Sequence, residues 1–443
     1  MSNMRPLEGV VDLTDAAKNV IYNMTCEEAR MAVARGNLQE VRAIDGQFAL
    51  VAAQGKVVRL ARTIGRPLRY FIAKLEDGPC LVASDRIDTI FNYLQSVGLH
   101  EQFHPSYTRM VPAHYVTEIA LLGCPDPNPT YRRFFAPERN TLASDVAEIG
   151  ALYMQALYQE IVKWLQTRAT AGPIGVCFSG GIDSGAVFLL TYHAMLQLGS
   201  SPSRLKAFTL SIDGSGEDLA QARRFFEPLG LSLFLEPIGV SSHAINWQEA
   251  IRVVEDYKPL DIEAATMTLA LGRGIRQRYP EWRYLIDGDG GDENLKDYPL
   301  EDNRELTIRS VLNNPLLYQE GWGVNSIKHS LAYSGGLSRS YTRTYAPASQ
   351  FGFEGFSPYT LPNVIAVAEA IPFIALTEWR PDKLYGLKGE IVAQGIKAIT
   401  GMEMPVFPKR RFQHGVARRT ALNNFFPTRP SQYRHAFFAQ YGG

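Results

Sequence analysis

The run Cys177-Phe178-Ser179-Gly180-Gly181-Ile182-Asp183-Ser184 constrains this chain more than any other stretch. It lies between an apolar run (Ile174, Gly175, Val176) and a long helical pattern from Gly185 to Leu196, so it reads as strand, tight turn, helix. Two adjacent glycines let the backbone close around a ligand and turn successive N–H groups toward it. The helix that follows aims its N-terminus at the same place, which favours an anion there. Ser179 and Ser184 add hydroxyl donors. Asp183 adds a carboxylate, which cannot face bare phosphate, and a magnesium ion between the two resolves the conflict. The loop therefore reads as a cradle for a nucleotide polyphosphate. Neither the Walker pattern nor the G-x-G-x-x-G dinucleotide fingerprint fits it.

Downstream, strand-like and helical patterns alternate, which argues for a parallel sheet with flanking helices. Strands are expected at Leu205 to Ile212, Leu231 to Glu236 and Tyr284 to Ile286. Helices are expected at Asp218 to Leu229, Trp247 to Glu255 and Ala264 to Tyr279. In open parallel sheets the ligand sits off the carboxyl ends of the strands, so the loops after Phe178, Ile212 and Ile286 should converge. The last of these is Asp287-Gly288-Asp289-Gly290-Gly291-Asp292-Glu293, which puts three glycines and four carboxylates into seven residues. In isolation such a loop also suits calcium or a solvated turn, but the spacing is not that of an EF-hand. Beside the first loop, Asp183 and Asp292 would share magnesium on pyrophosphate, and Gly288 would let the backbone approach the nucleotide.

At 443 residues the chain is long enough for two domains. Lys plus Arg and Asp plus Glu both number 45, and the resulting zero net charge argues against a nucleic-acid partner. Cys26, Cys80, Cys124 and Cys177 contain no C-x-x-C pair, which fits a reducing cytoplasm better than a zinc or disulfide framework. No basic-then-apolar leader and no 18-residue apolar run occurs, so a cytoplasmic protein without membrane attachment is expected.

The first part of the chain reads as a helix from Glu27 to Arg35, then short strands at Ala43 to Ala53, Lys56 to Arg62, Leu68 to Leu75 and Cys80 to Ser84, a small antiparallel sheet. Cys124-Pro125-Asp126-Pro127-Asn128-Pro129 reads as a linker, and a helix follows from about Leu142 to Arg168. Expected domains are 1–125 and 140–443.

Several of these segments resemble known families. The S-G-G-x-D-S loop resembles the pyrophosphate loop of ATP pyrophosphatases, which cleave ATP between its α- and β-phosphates. The second loop resembles the S-G-E-G-[SA]-D-E of asparagine synthetases, with Asp287 and Asp289 replacing Ser and the first Glu. Glu255-Asp256-Tyr257-Lys258-Pro259 resembles their E-T-[FY]-[DE]-P, and Phe353-Glu354-Gly355-Phe356-Ser357-Pro358-Tyr359 resembles their E-x-R-x-P-F-L-D without its arginine. Pro408-Lys409-Arg410-Arg411-Phe412-Gln413-His414-Gly415-Val416 is similar to R-x-K-x-x-F-x-D-G-V. Asp45-Gly46-Gln47-Phe48-Ala49-Leu50, the Arg62 to Tyr70 segment, Val82-Ala83-Ser84 and Val111-Pro112-Ala113-His114 resemble, in order, parts of class II glutaminase domains. Those domains begin with a cysteine nucleophile, whereas this sequence begins Met1-Ser2-Asn3, and no counterpart of their glutamine-holding half is present.

The resemblance implies an α/β fold of the adenine nucleotide α-hydrolase, ATP pyrophosphatase type, behind a truncated, non-catalytic Ntn-like domain. It implies ATP and Mg2+ as cofactors. Ser179, Gly180, Gly181, Asp183, Ser184, Leu210, Gly288 and Lys388 would lie on the nucleotide side, with Asp183 and Asp292 on the metal. Lys409 would stabilise charge at the acyl centre, as the matching lysine does in β-lactam and carbapenam synthetases. Asp289 would orient or deprotonate the amine. Residues 313–351, with Arg339 and Arg343, fit no motif and suit an acceptor pocket or lid.

The implied activity is AMP-forming amide synthesis. A small-molecule or peptide carboxylate is adenylated, then attacked by a substrate amine, an intramolecular amine, or free ammonia. A separate ammonia- or substrate-supplying protein and a homodimer are both compatible with the chain. The competing readings are an RNA-modifying ATP pyrophosphatase, a lasso-peptide-type macrocyclase, and a non-enzymatic scaffold.

Overall fold

The computed structural model describes residues 9–122, 128–214, 217–297, 307–313, 340–408 and 425–442. These form two compact units that depart from the boundaries read off the sequence: the first takes in the chain up to Ala136 together with the residues from His435 onward, and the second runs from Pro137 to Arg434 apart from a stretch outside the described residues.

The first unit is a sandwich rather than the single antiparallel sheet expected. Strands β1 (Val10–Asp12), β6 (Arg69–Leu75), β7 (Gly78–Ser84) and β8 (Arg109–Met110) make one sheet in the order β1-β7-β6-β8. Its β1–β7 pair is parallel, Val10 lying opposite Leu81. Strands β4 (Ala49–Gln54), β5 (Val57–Arg62), β9 (Tyr115–Ala120) and β10 (Thr130–Arg133) make the second, in the order β10-β9-β5-β4. A two-stranded ribbon of β2 (Val20–Ile21) and β3 (Gly46–Gln47) completes the set. Val51, Leu60 and Ile119 from one sheet meet Tyr70, Leu81 and Ala83 from the other in a shared apolar core. On the outer face of the first sheet, Ile90 and Leu94 of the Ile87–Ser96 helix pack on Phe71 and Val82. The Cys26–Arg35 helix lies on the second sheet, where Arg59 donates to Ala34 O. That helix starts where the sequence asks it to, at a capping box between Thr25 and Glu28.

The glutaminase-like residues of this unit are interior. Arg62 is buried and its Nε donates to Val111 O; His114 N donates to Arg62 O at 2.8 Å. Burial, then the Arg62 and Arg133 charges, pull the His114 imidazole down to about 3. Burial also pushes the Cys80 thiol up to about 11, away from a reactive thiolate.

The second unit is built on five parallel strands: β11 (Ile174–Cys177), β12 (Leu205–Ile212), β13 (Leu235–Val240), β14 (Tyr284–Ile286) and β15 (Glu354–Phe356). Their spatial order is β13-β12-β11-β14-β15. The chain runs outward from β11 in one direction, then returns to β14 and runs outward in the other. The switch point lies between β11 and β14, the crevice where open α/β sheets bind ligands.

Two of the boundaries that differ from the sequence reading have a clear local cause. The apolar run at Leu231 begins with a short 3-10 turn, Ser232–Phe234, that sinks Phe234 into the core, and the strand proper starts at Leu235 in register with Ala207. The helix expected from Ala264 begins at Pro259, whose ring suits the first turn of a helix.

The Ile182–Gln197 helix is buried nearly all round, so its sequence is apolar on every side. The Lys383–Thr400 helix packs on the Val146–Thr167 helix. Their backbones meet at two glycines: a Cβ on Gly395 would stand 2.1 Å from Gly150 O. Only glycine permits that approach, and it fixes the depth at which the Lys383–Thr400 helix sits. No helix among the described residues is long and apolar enough to cross a membrane.

Candidate functional site

The loops after β11 and β14 touch. A Cβ on Gly288 would lie 2.8 Å from the carbonyl carbon and Cβ of Asp183, and 2.8 Å from Ser184 N. A Cβ on Gly291 would lie 2.3 Å from Asp183 Oδ1. The glycines of the second loop are there because the first loop occupies the space a side chain would need.

The first loop is braced from within. Ser179 N donates to Ser184 Oγ at 3.3 Å, Gly181 N donates to Ser179 Oγ at 3.3 Å, and Ser184 Oγ donates to Gly181 O at 3.3 Å. The buried Gln221, from the Glu217–Phe226 helix, donates to Gly180 O at 2.9 Å. Nothing in the sequence marked Gln221 for this role. Gly180 takes φ +75°.

Lys388 comes from the Lys383–Thr400 helix, and its Nζ sits between the two loops. It donates to Asp183 Oδ2 at 2.6 Å and to Asp292 Oδ1 at 2.5 Å, and Asp297 Oδ2 lies at 3.5 Å. Burial pulls the ammonium down, but the Asp183, Asp292 and Asp297 charges outweigh it and hold the pKa well above the ordinary lysine value. Burial likewise pushes the Asp183 carboxyl up to about 7, with Lys388 opposing and Asp292 and Asp297 reinforcing.

The second loop divides its acids by role. Asp287 is a brace: its Oδ1 accepts from Asp289 N at 2.8 Å and its Oδ2 from Ser357 Oγ at 2.7 Å. Burial, then the neighbouring Asp289 charge, keeps the Asp287 carboxyl well above the usual range. Asp289 Oδ2 accepts from Thr344 Oγ1 at 3.0 Å. Thr344 belongs to a π-helical turn, Tyr341–Tyr345, whose Tyr345 hydroxyl accepts from Ser357 N at 3.0 Å. The part of the 313–351 segment that is described therefore reaches this loop. Arg343 is half-buried on the same turn.

Ser179, Gly180, Gly181, Asp183, Ser184, Gly288, Asp289, Asp292 and Lys388 thus gather at the switch point. Leu210 does not present its side chain there: it is buried in the core with Ile238, Met267 and Leu285, so any part it plays is through its backbone. Lys409, with the Phe412 and Gly415-Val416 register, lies outside the described residues, as do Lys328 and Arg339. Asn294 and Asp297 also border the site, and no sequence pattern announced them; Ser357 and Tyr359, from the Phe353–Tyr359 segment, border it too, although the sequence reading assigned them no site role.

Among the described residues no group of three or more His, Cys, Asp or Glu side chains is disposed to hold a metal by itself. Magnesium does not need one, since it is commonly held by one or two carboxylates together with phosphate oxygens and water. Asp183 Oδ1 is buried without a hydrogen-bond partner, an oxygen acceptor left open at the place where two acidic loops meet. Asp183 and Asp292 fit that ion.

Residues 159–349 match the asparagine synthase family. That stretch is similar to an asparagine synthase domain. It begins within the Val146–Thr167 helix and takes in both loops and strands β11 to β14. An asparagine synthase domain implies ATP use and, at that level, an amide-forming ligase. No curated protein matches the chain. Among solved structures, the chain is similar to the U34-tRNA thiolase NcsA from Methanococcus maripaludis with its 4Fe-4S cluster, at 14% identity and a TM-score of 0.20, over 57% of this chain and 80% of that one. It is also similar to a glutamine-dependent NAD(+) synthetase from Cytophaga hutchinsonii, at 11% identity and a TM-score of 0.25, over 94% of this chain and 91% of that one.

Proposed function

We propose that the protein is an ATP-dependent, AMP-forming amide-bond synthetase. The observation that carries this reading is the meeting of the Ser179–Ser184 loop with the Gly288–Asp292 loop at the switch point, with the Lys388 ammonium between their carboxylates. In this reading a substrate carboxylate oxygen attacks the α-phosphorus of ATP. The bond from that phosphorus to the bridging oxygen breaks, and pyrophosphate leaves. An amine then attacks the acyl carbon of the adenylate, AMP departs, and the amine sheds a proton.

The Ser179–Ser184 loop grips the leaving pyrophosphate through backbone N–H groups and hydroxyls. Asp183 and Asp292 would hold magnesium, which would supply the charge that neutralises the polyphosphate. Lys388, a buried cation between the two loops, supplies charge for the pentacovalent phosphorus and for the acyl oxyanion. Asp289, anchored by Thr344, accepts or orients the amine. The chain's own glutamine chemistry has no part in this account, so nitrogen arrives as a substrate amine, an intramolecular amine or free ammonia.

The test is ATP–pyrophosphate exchange by purified protein across a panel of small and peptidic carboxylic acids, with mass spectrometry of the products. One acid should elicit magnesium-dependent exchange, and adding its amine partner should release AMP and an amide in equal amounts. ATP bound with no acid-dependent exchange across the panel, or AMP appearing with RNA and not with an amine, would overturn the reading.

A further inference from the structure

Tyr359 follows β15, in the short turn Pro358–Thr360, and is fully buried. Its backbone is engaged, since its carbonyl oxygen accepts from Asn294 Nδ2 at 2.9 Å. Its Cβ backs onto the second loop, where a Cβ on Gly290 would stand 3.1 Å away. Its ring lies 6.1 Å from that of Tyr153. Its hydroxyl is buried without a hydrogen-bond partner. The charges it feels are those of Asp183, Lys388 and Asp292, and burial keeps the phenol protonated, hence a donor, throughout the accessible pH range.

A buried hydroxyl left unpaired carries the full desolvation penalty of a polar group, and native structures seldom keep one without a use. Here a second buried atom is also unpaired, and it is of the complementary kind: Asp183 Oδ1, an acceptor tucked against Gly291. The neighbouring Tyr153 shows the contrast. Its hydroxyl has a partner in the ligand-free protein, accepting from Asn294 Nδ2 at 3.2 Å.

We propose that Tyr359 is a positioning residue whose hydroxyl makes its hydrogen bond only in the loaded site, donating to the Asp183 side of the magnesium shell, directly to Oδ1 or through one bound water. This rests on the reading of the site as a magnesium–nucleotide centre. Filling the site draws Lys388 toward phosphate, and the Tyr359 donor then keeps Asp183 in its coordinating orientation.

The experiment compares wild type, Tyr359→Phe and Tyr153→Phe by calorimetric titration with a non-hydrolysable ATP analogue at several magnesium concentrations, and by thermal unfolding with and without that ligand. Tyr359→Phe should leave the ligand-free melting temperature unchanged or raise it, because no bond is lost. It should weaken analogue binding about tenfold and raise the half-saturating magnesium concentration. Tyr153→Phe should do the reverse, lowering ligand-free stability while leaving the magnesium requirement in place. Unchanged affinity and magnesium requirement in Tyr359→Phe, or a drop in its ligand-free melting temperature like that of Tyr153→Phe, would overturn the proposal while the site reading stood. A wild type that binds no magnesium–analogue would overturn the site reading itself, and this proposal with it.

Discussion

Lys388 Nζ lies 2.6 Å from Asp183 Oδ2, joining residues 205 apart in the sequence. The same nitrogen reaches Asp292 and Asp297, so one ammonium faces three carboxylates in a buried setting. The relationship has a consequence for stability as well as for chemistry. Removing one partner of a buried ionic cluster strands the others, which generally costs about 3–5 kcal/mol.

Lys388→Met should therefore lower the melting temperature of the ligand-free protein, and the loss should be greater at pH 8 than at pH 5, where protonation relieves the stranded carboxylates. Adding Asp183→Asn to Lys388→Met should recover part of that loss, because the two sites share one cluster. Turnover should fall by about a hundredfold or more, as when a transition-state donor is removed. Thermal unfolding at the two pH values, with pyrophosphate release on the same samples, checks each part. A Lys388→Met protein as stable and active as wild type would show that the ammonium is idle.

Asp183→Asn and Asp292→Asn should each abolish magnesium-dependent binding of the ATP analogue while leaving the fold intact. Both carboxylates serve one ion, so the double variant should bind no worse than either single one. Calorimetry with and without magnesium reads this directly. Near-wild-type affinity in either single variant would remove that residue from the metal site.

The Asp183 carboxyl sits at about 7 in the folded protein against an ordinary value of 3.8. A raised acid keeps its proton longer when folded than when unfolded. Its contribution to stability is therefore present at low pH and is lost as pH climbs from about 4 to about 7. Asn cannot titrate, so Asp183→Asn should gain stability relative to wild type across that window, by something on the order of 1–3 kcal/mol. Denaturant unfolding of both proteins in the ligand-free state at pH 4.5, 6 and 7.5 measures the difference. A difference that stays flat with pH would mean that Lys388 holds Asp183 ionised throughout.

Much of this site was legible because its chemistry is local. Ser179 to Ser184 and Asp287 to Asp292 each carry their glycines, hydroxyls and acids within a few residues, and each follows a short apolar strand. The alternation of strands and helices then implied that the two loops would meet. What was not legible is what distance in sequence hides. The sequence put Lys388 on the nucleotide side but not between Asp183 and Asp292, a place it owes to the meeting of Gly395 with Gly150 two helical turns further on. Asp287 looked like its neighbours until Ser357, 70 residues away, showed it to be a brace. The first unit misled for a similar reason: β1 joins β7 in parallel across 71 residues, and no local alternation announces that pairing.

The glycines of the second loop give the sharpest test of how closely the two motifs must approach. Gly288→Ala would set a methyl 2.8 Å from the backbone of Asp183 and Ser184, where nothing can swing aside. Gly291→Ala would set one 2.3 Å from Asp183 Oδ1, displacing the carboxylate from its open position. Either loop must then retreat, and since phosphate and metal are held from both sides, binding of the magnesium–ATP analogue should weaken at least about tenfold, a loss of about 1.4 kcal/mol. Gly386→Ala is the matched control: it lies on the helix that carries Lys388, and its added Cβ meets nothing within 4 Å. In a helix interior that change should be neutral or stabilising by up to about 1 kcal/mol, with affinity preserved. Calorimetry and thermal unfolding on the three variants separate the effects. If Gly288→Ala and Gly291→Ala bound the analogue as well as Gly386→Ala does, the contact between the loops would be incidental to the site.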